Sequence, residues 1–163
     1  MGLKDDLEMD MEVLQQTWKV STVQTGSEDV PDPEKMGYEE GRKIQAVYLY
    51  TDLMNSSRLI KISNSEAAAS VIAAFLKVCV RVIKANKGHV RSFDGDRVMG
   101  IFAGSARKAN AVNAAMQINS VVSGTLNRKV RSRFPSLKSA NWELRAMTGL
   151  AAGPAFLIRV GIR

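Results

Sequence analysis

Asp94-Gly95 is a strong hairpin-turn dipeptide, and it joins two short apolar-rich runs, 89–93 and 97–102. What flanks this hairpin restricts the fold. Before it, Ser63, Asn64 and Ser65 offer N-caps for a helix over 66–86 that stops at Gly88. After it, the Ala-rich stretch 106–126 carries apolar positions at helical spacing. A β-branched and aromatic run at 44–50, IQAVYLY, precedes the first helix and reads as a strand. Two further strands are expected at 142–150 and 156–162, beyond a basic connector, NRKVRSRFPSLKS. The order βαββαββ contains a βαββαβ core, so the expected class is α+β with a ferredoxin-like split βαβ arrangement.

In that topology the third core strand lies between the first two, antiparallel to both. Asp52 closes the first strand and Asp96 opens the third, so the two carboxylates should meet at one edge of the sheet, with Asp94 in the same turn.

Charge makes that meeting informative. Residues 1–43 hold 5 Lys/Arg and 11 Asp/Glu, whereas 44–163 hold 18 basic side chains and 5 acids: Asp52, Glu66, Asp94, Asp96 and Glu143. A body with a net charge of +13 attracts polyanions. Two carboxylates held together repel, and a divalent cation with oxygen ligands resolves the repulsion. Mg²⁺ or Mn²⁺ suits one or two carboxylates plus substrate phosphates. The LMNSSR segment after Asp52 is a small polar turn whose backbone N–H groups can cradle phosphate oxygens. Acids, open amides and positive surroundings suit a metal-nucleotide substrate. The alternative is ordinary turn acids on a basic fold.

Other chemistries are constrained by scarcity. Cys79 is the only cysteine and His89 the only histidine, so disulfide frameworks and Cys/His zinc sites are excluded. Cys79, inside an apolar helix, reads as core, and His89 as a solvated or locally bonded side chain. The longest apolar stretch, 67–83, is broken by Lys77 and Arg81, so no membrane span is expected. The N-terminus shows neither a signal peptide nor a myristoylation motif, and a cytoplasmic setting is the expectation. Leu7, Met11, Leu14 and Trp18 have helical spacing over 5–18, and 20–43 reads as an extended linker. The expected division is an acidic helix and arm over 1–43 and a functional domain over 44–163.

Three segments carry a family resemblance. YTDLMNSSRL resembles the first metal motif of class III nucleotidyl cyclases, an Asp after an apolar strand followed by a small polar turn. GHVRSFDGDRVMGIF resembles their second motif, and LRAMTGLAAGP a later strand with Gly149, Gly153 and Pro154 in register. The resemblance implies a homodimer with interfacial active sites, two metals per site, and a nucleoside triphosphate substrate. It places Asp52 and Asp96 as metal and catalytic aspartates, Leu53 as the residue whose backbone carbonyl completes a metal site, and Asn55, Ser56 and Ser57 as the phosphate-contacting turn.

Two departures from the purine enzymes stand out. Ser92, with Arg91 beside it, takes the position of their base-reading Lys, and their downstream base-reading and transition-state residues have no counterpart before Arg163, which makes the domain look truncated. The acidic arm together with LYTDLMNSS and RSFDGDRVMGIF is most similar to the bacterial pyrimidine cyclases of Pycsar antiphage defence. The implied substrate is UTP, with CTP next, and purine triphosphates are the alternative. Tyr48, Tyr50 and Asp52 share one strand face, so Tyr50 stands beside the metal position, either as a base contact or packed at the dimer interface. A different class remains to weigh. The basic connector on a ferredoxin-like fold could bind RNA, but RVMGIF offers only Phe102 where RNA-recognition modules need exposed aromatics, so nucleic acid is not the expected partner.

Overall fold

The computed structural model describes residues 2–160. One strand organises it. β2 (Glu40–Leu53) is 14 residues long and is paired along both edges. On one side lies β5 (Ala146–Ile158), antiparallel over the whole of Gly41 to Leu53. On the other lie β4 (Arg97–Phe102), antiparallel to Val47–Asp52, and β1 (Lys19–Thr22), parallel to residues 40–43. β3 (His89–Asp94) pairs antiparallel with the outer edge of β4. The strand order β5-β2-β4-β3 is that of the expected ferredoxin-like core.

Alternation along β2 separates two faces. Val47, Leu49, Thr51 and Leu53 are buried beneath α3 (Ser65–Ala85) and α4 (Arg107–Val121). α3 forms because Asn64 caps it, its side-chain oxygen accepting the Ala67 N–H at 2.8 Å. Ala68, Val71, Phe75, Cys79 and Ile83 recur every three or four residues and supply its buried stripe. The helix ends with Lys87 in the left-handed region (φ 61°), and the Gly88 N–H donates to the Ile83 carbonyl at 2.9 Å. The expected stop at Gly88 is thus right in place but different in cause. Gly88 is required for space, since a Cβ there would lie 2.6 Å from the Phe102 ring.

Several boundaries differ from the sequence reading. The first helix, α1, covers Leu3–Met11 and continues as a 3-10 turn over Glu12–Gln15, so Trp18 lies beyond it, its ring edge-on to Phe156 at 6.2 Å. The linker read at 20–43 contributes β1 and the first residues of β2, so the strand begins four residues before the expected Ile44. Polar side chains hide these pairings from a period-2 search, because the arm lies at the sheet's edge. The polar turn after Asp52 becomes a short helix, α2 (Ser56–Ile62), held by buried Leu59. The basic connector is helical as well, α5 (Asn127–Arg133) and α6 (Pro135–Ser139). Its Val130 and Leu137 reach the core while its charges stay outside. The two strands expected at 142–150 and 156–162 are one, β5. Trp142 and Leu144 precede it in the core, and residues 161–162 lie outside the described residues.

The arm also covers part of the other sheet face. Val30 packs with Ile44, Ala46, Ile101 and Ala103, and Val23 joins them. Body cations hold it there. Arg91 donates to the carbonyls of Val30 (2.8 Å) and Pro31 (3.0 Å), Lys87 pairs with Glu28 at 2.8 Å, and His89 Nε2 lies 3.1 Å from the Glu28 carbonyl. His89, read from sequence as solvated or locally bonded, thus contacts the distant arm.

Two outcomes follow from the packing. Phe75→Ala empties a fully buried ring position and should cost about 3–5 kcal/mol in urea denaturation. Cys79 is the second probe: burial pushes its thiol up to about 12, opposed by smaller hydrogen-bond contributions from the backbone and Thr51. Because the folded state holds the proton more tightly, its contribution to stability is complete below the unfolded thiol's pKa and is lost as pH rises towards 12. A thiol reagent at pH 8 should therefore label Cys79 only after denaturant is added, and rapid labelling of the folded protein would contradict this packing.

Candidate active site

The open sheet face is ordered in rows by strand register. Asp52 on β2 pairs with Arg97 on β4, and Arg97 with Asp94 on β3. One row further from that sheet end, Tyr50 pairs with Met99, and Met99 with Ser92. Directly paired residues share a face, so the acids form one row and Tyr50, Met99 and Ser92 the next. Ser92 reaches this face through a β-bulge between Val90 and Ser92, in which Arg91 is the extra residue.

Asp52 and Asp96 therefore lie at the same end of the sheet, where they were expected. Asp96 lies in the β3–β4 turn, after Gly95 with its φ of 58° and immediately before Asp52's register partner. Asp52 accepts a hydrogen bond from Arg97 Nη2 at 3.1 Å. The Asp52 side chain is 24% exposed and that of Arg97 49%. Hydrogen bonding to Asp52, then its charge, raises the guanidinium's pKa, with Asp94 and Asp96 adding to it. Asp96 Oδ2 is buried and has no hydrogen-bond partner among the described residues. A buried carboxylate oxygen with no donor is costly unless something else satisfies it.

That orphaned oxygen fits a cation. Among the described residues no three Asp, Glu, His or Cys side chains converge, so a metal here would rest on two carboxylates, completed by backbone and substrate oxygens. Such a donor set suits Mg²⁺ or Mn²⁺. Leu53, the last residue of β2, buries its side chain in the core, so only its backbone is available to the site.

The polar turn is adjacent. Asn55 adopts the left-handed conformation (φ 58°), which Asn tolerates better than most residues, and turns the chain from β2 into α2. Its carbonyl accepts the N–H groups of Arg58 and Leu59, both at 3.1 Å, and the Trp142 indole at 3.4 Å. Ser56 and Ser57 occupy the first turn of α2, where backbone N–H groups have no intrahelical acceptor.

Tyr50 is 48% exposed, and Gly149 opposite it leaves open space where a side chain would stand. Burial, then the neighbouring Tyr50 phenol, raises the pKa of Tyr48 in the next row. Two residues of the site were missed from sequence, Arg97 and Met99. The alternation of RVMGIF carries the signal, since Arg97, Met99 and Ile101 must face the same way once Asp52 is aligned with Arg97.

No family model matches the chain. Curated relatives do. A protein named uridylate cyclase from Rhodovulum sp. (strain MB263) is 34% identical over 99% of this chain and 67% of its own length. Another of that name, from Xanthomonas perforans, is 31% identical over the whole chain and 69% of its own length. Among solved structures, a class III adenylyl cyclase-like ATP-binding protein from Pseudomonas aeruginosa superposes with a TM-score of 0.69 at 15% identity, covering 92% of this chain and 32% of that one. With the sheet order, the paired aspartates and these relatives in hand, the chain belongs to the uridylate cyclase family and carries the fold of class III nucleotidyl cyclases.

Proposed function

We propose that residues 44–163 are the catalytic part of a pyrimidine nucleotide cyclase that converts UTP, with CTP next, to the 3′,5′-cyclic monophosphate and pyrophosphate, and that residues 1–43 form its acidic arm. The observation that carries this reading is the pair Asp52 and Asp96 at one sheet end, the latter with an unpartnered buried oxygen, in a body with only three other acids. In the reaction the ribose 3′ hydroxyl loses its proton, its oxygen bonds to the α-phosphorus, and the bond from that phosphorus to the bridging oxygen breaks to release pyrophosphate.

Asp52, Asp96 and the Leu53 carbonyl would hold two Mg²⁺ or Mn²⁺ ions. When bound, such ions lower the pKa of the attacking hydroxyl and neutralise the triphosphate. The turn at Asn55, Ser56 and Ser57 contacts the phosphates through its free amides. Tyr50 and Ser92 face the base. Ser92 is too short to extend a donor as a Lys would, and Tyr50 narrows the space for a two-ring base. A site built on specific hydrogen bonds rejects a substrate that leaves its polar groups unpaired. The relatives named uridylate cyclase support uracil over the other bases.

The site is shared between two copies of the chain in this reading. Support comes from the open face near the aspartates, where the arm does not reach. Tyr50 and Met147 are exposed there, and Gly149 and Ala151 keep the surface flat. A cytoplasmic enzyme in antiphage signalling is the setting we infer from the Pycsar resemblance. No helix among the described residues is long and apolar enough to cross a membrane, which fits that setting.

Incubation with Mn²⁺ and equal ATP, GTP, CTP and UTP should yield cyclic UMP as the main product, and a dominant purine product would overturn the base assignment. Asp96→Ala should abolish turnover while circular dichroism stays native; near-normal cyclisation by that variant would remove the metal assignment. Sedimentation at micromolar concentration should report a dimer, against which a fully active monomer would count.

A further inference from the structure

Arg97 stands between the acids of the site, and no step above uses it. Its guanidinium reaches Asp52 from the solvent side, since the arginine side chain is half-exposed and the carboxylate is the more buried partner. Asp94 is its register partner on β3 and Asp96 its chain neighbour, so two further acids flank the cation that Asp52 binds.

Resting on the cyclase reading, we propose that Arg97 is a stand-in cation that couples metal loading to triphosphate binding: it holds Asp52 while no metal is bound, yields that carboxylate to the metal, and moves to the phosphates of the incoming substrate.

The argument is electrostatic. A guanidinium and a divalent ion against one carboxylate repel each other, so they are competing partners of Asp52. A metal arriving alone must break the bridge and leave Arg97 facing its charge. A metal arriving with a triphosphate brings the guanidinium a new partner, because phosphate oxygens match its planar fork in two parallel hydrogen bonds. Release is cheap, since a partly exposed ion pair is worth little in water. The exposed arginine also has room to move, whereas Asp52 is fixed in the ladder.

The test is calorimetric titration of the whole chain and of R97Q with Mn²⁺ alone, then with Mn²⁺ and inorganic tripolyphosphate, which carries phosphates without a base and so is independent of base preference. R97Q should bind Mn²⁺ alone about two- to five-fold more tightly, the scale of one exposed ion pair. It should bind the Mn²⁺–tripolyphosphate complex about ten-fold more weakly, the scale of a lost charge-assisted hydrogen bond. R97K, which keeps the charge without the fork, should bind Mn²⁺ alone as the parent does. The opposite signs in R97Q matter because a merely structural role moves both affinities the same way. If R97Q binds both probes as the parent does, or both more weakly, Arg97 has no coupling role and the metal assignment stands. If the parent chain takes up no Mn²⁺ even with tripolyphosphate, the metal assignment of Asp52 and Asp96 falls, and this proposal with it.

Discussion

The double pairing of β2 is the constraint on which everything else hangs. A strand hydrogen-bonded along both edges has its register fixed twice, once by β4 and once by β5, and cannot slip on one side without breaking the other. Its alternation then sets what each face does. Val47, Leu49, Thr51 and Leu53 commit one side to the helical core, and Thr51, polar and fully buried, is satisfied there by the Thr148 hydroxyl at 2.9 Å. Because that side must be apolar, Tyr48, Tyr50 and Asp52 are forced onto the other. The placement of the acid is thus a by-product of burying Leu49 and Leu53.

The aspartates sit where this rigid frame meets irregular chain. Asp52 is one residue from the end of its strand and Asp96 lies in a tight turn directly before β4, so both are presented at the rim of the ladder. Sites built on element ends in this way have side chains fixed by packing and surroundings free to admit a ligand. The contrast in partners fits that arrangement: Asp52 has an arginine to satisfy it, and Asp96 has an oxygen that nothing in the described chain satisfies.

The core strands, the long helix and the meeting of Asp52 with Asp96 were legible because each rests on a local signal: period-2 alternation, an Asn cap before a 3.6-residue stripe, or an Asp-Gly turn. What escaped was settled by distant partners. β1 exists because residues 40–43 offer it an edge, and nothing within KVST announces that. Likewise the connector is helical because Val130 and Leu137 find the core, while its dense positive charge reads as solvated loop. The gap left between 150 and 156 is where Gly153 and Pro154 stand. In β5 Pro154 falls on the flank of a long ladder and Gly153 keeps the open face flat, so neither interrupts the strand. Arg97 and Met99 were hidden for another reason. Their importance lies in which strand faces which, information that belongs to the register and not to either segment.

The bulge in β3 joins two jobs that otherwise have nothing in common. By inserting Arg91 it inverts the phase of the strand beyond it, turning Ser92 and Asp94 towards the open face and Phe93 away. The same surplus residue, released from the ladder, is the one whose guanidinium clasps the arm at Val30 and Pro31. Deletion of Arg91 would leave Ser92, Phe93 and Asp94 opposite the same β4 partners in an unbroken ladder, yet would untie the arm. The surplus residue thus serves the arm, while the pairing of the strand around it serves the site.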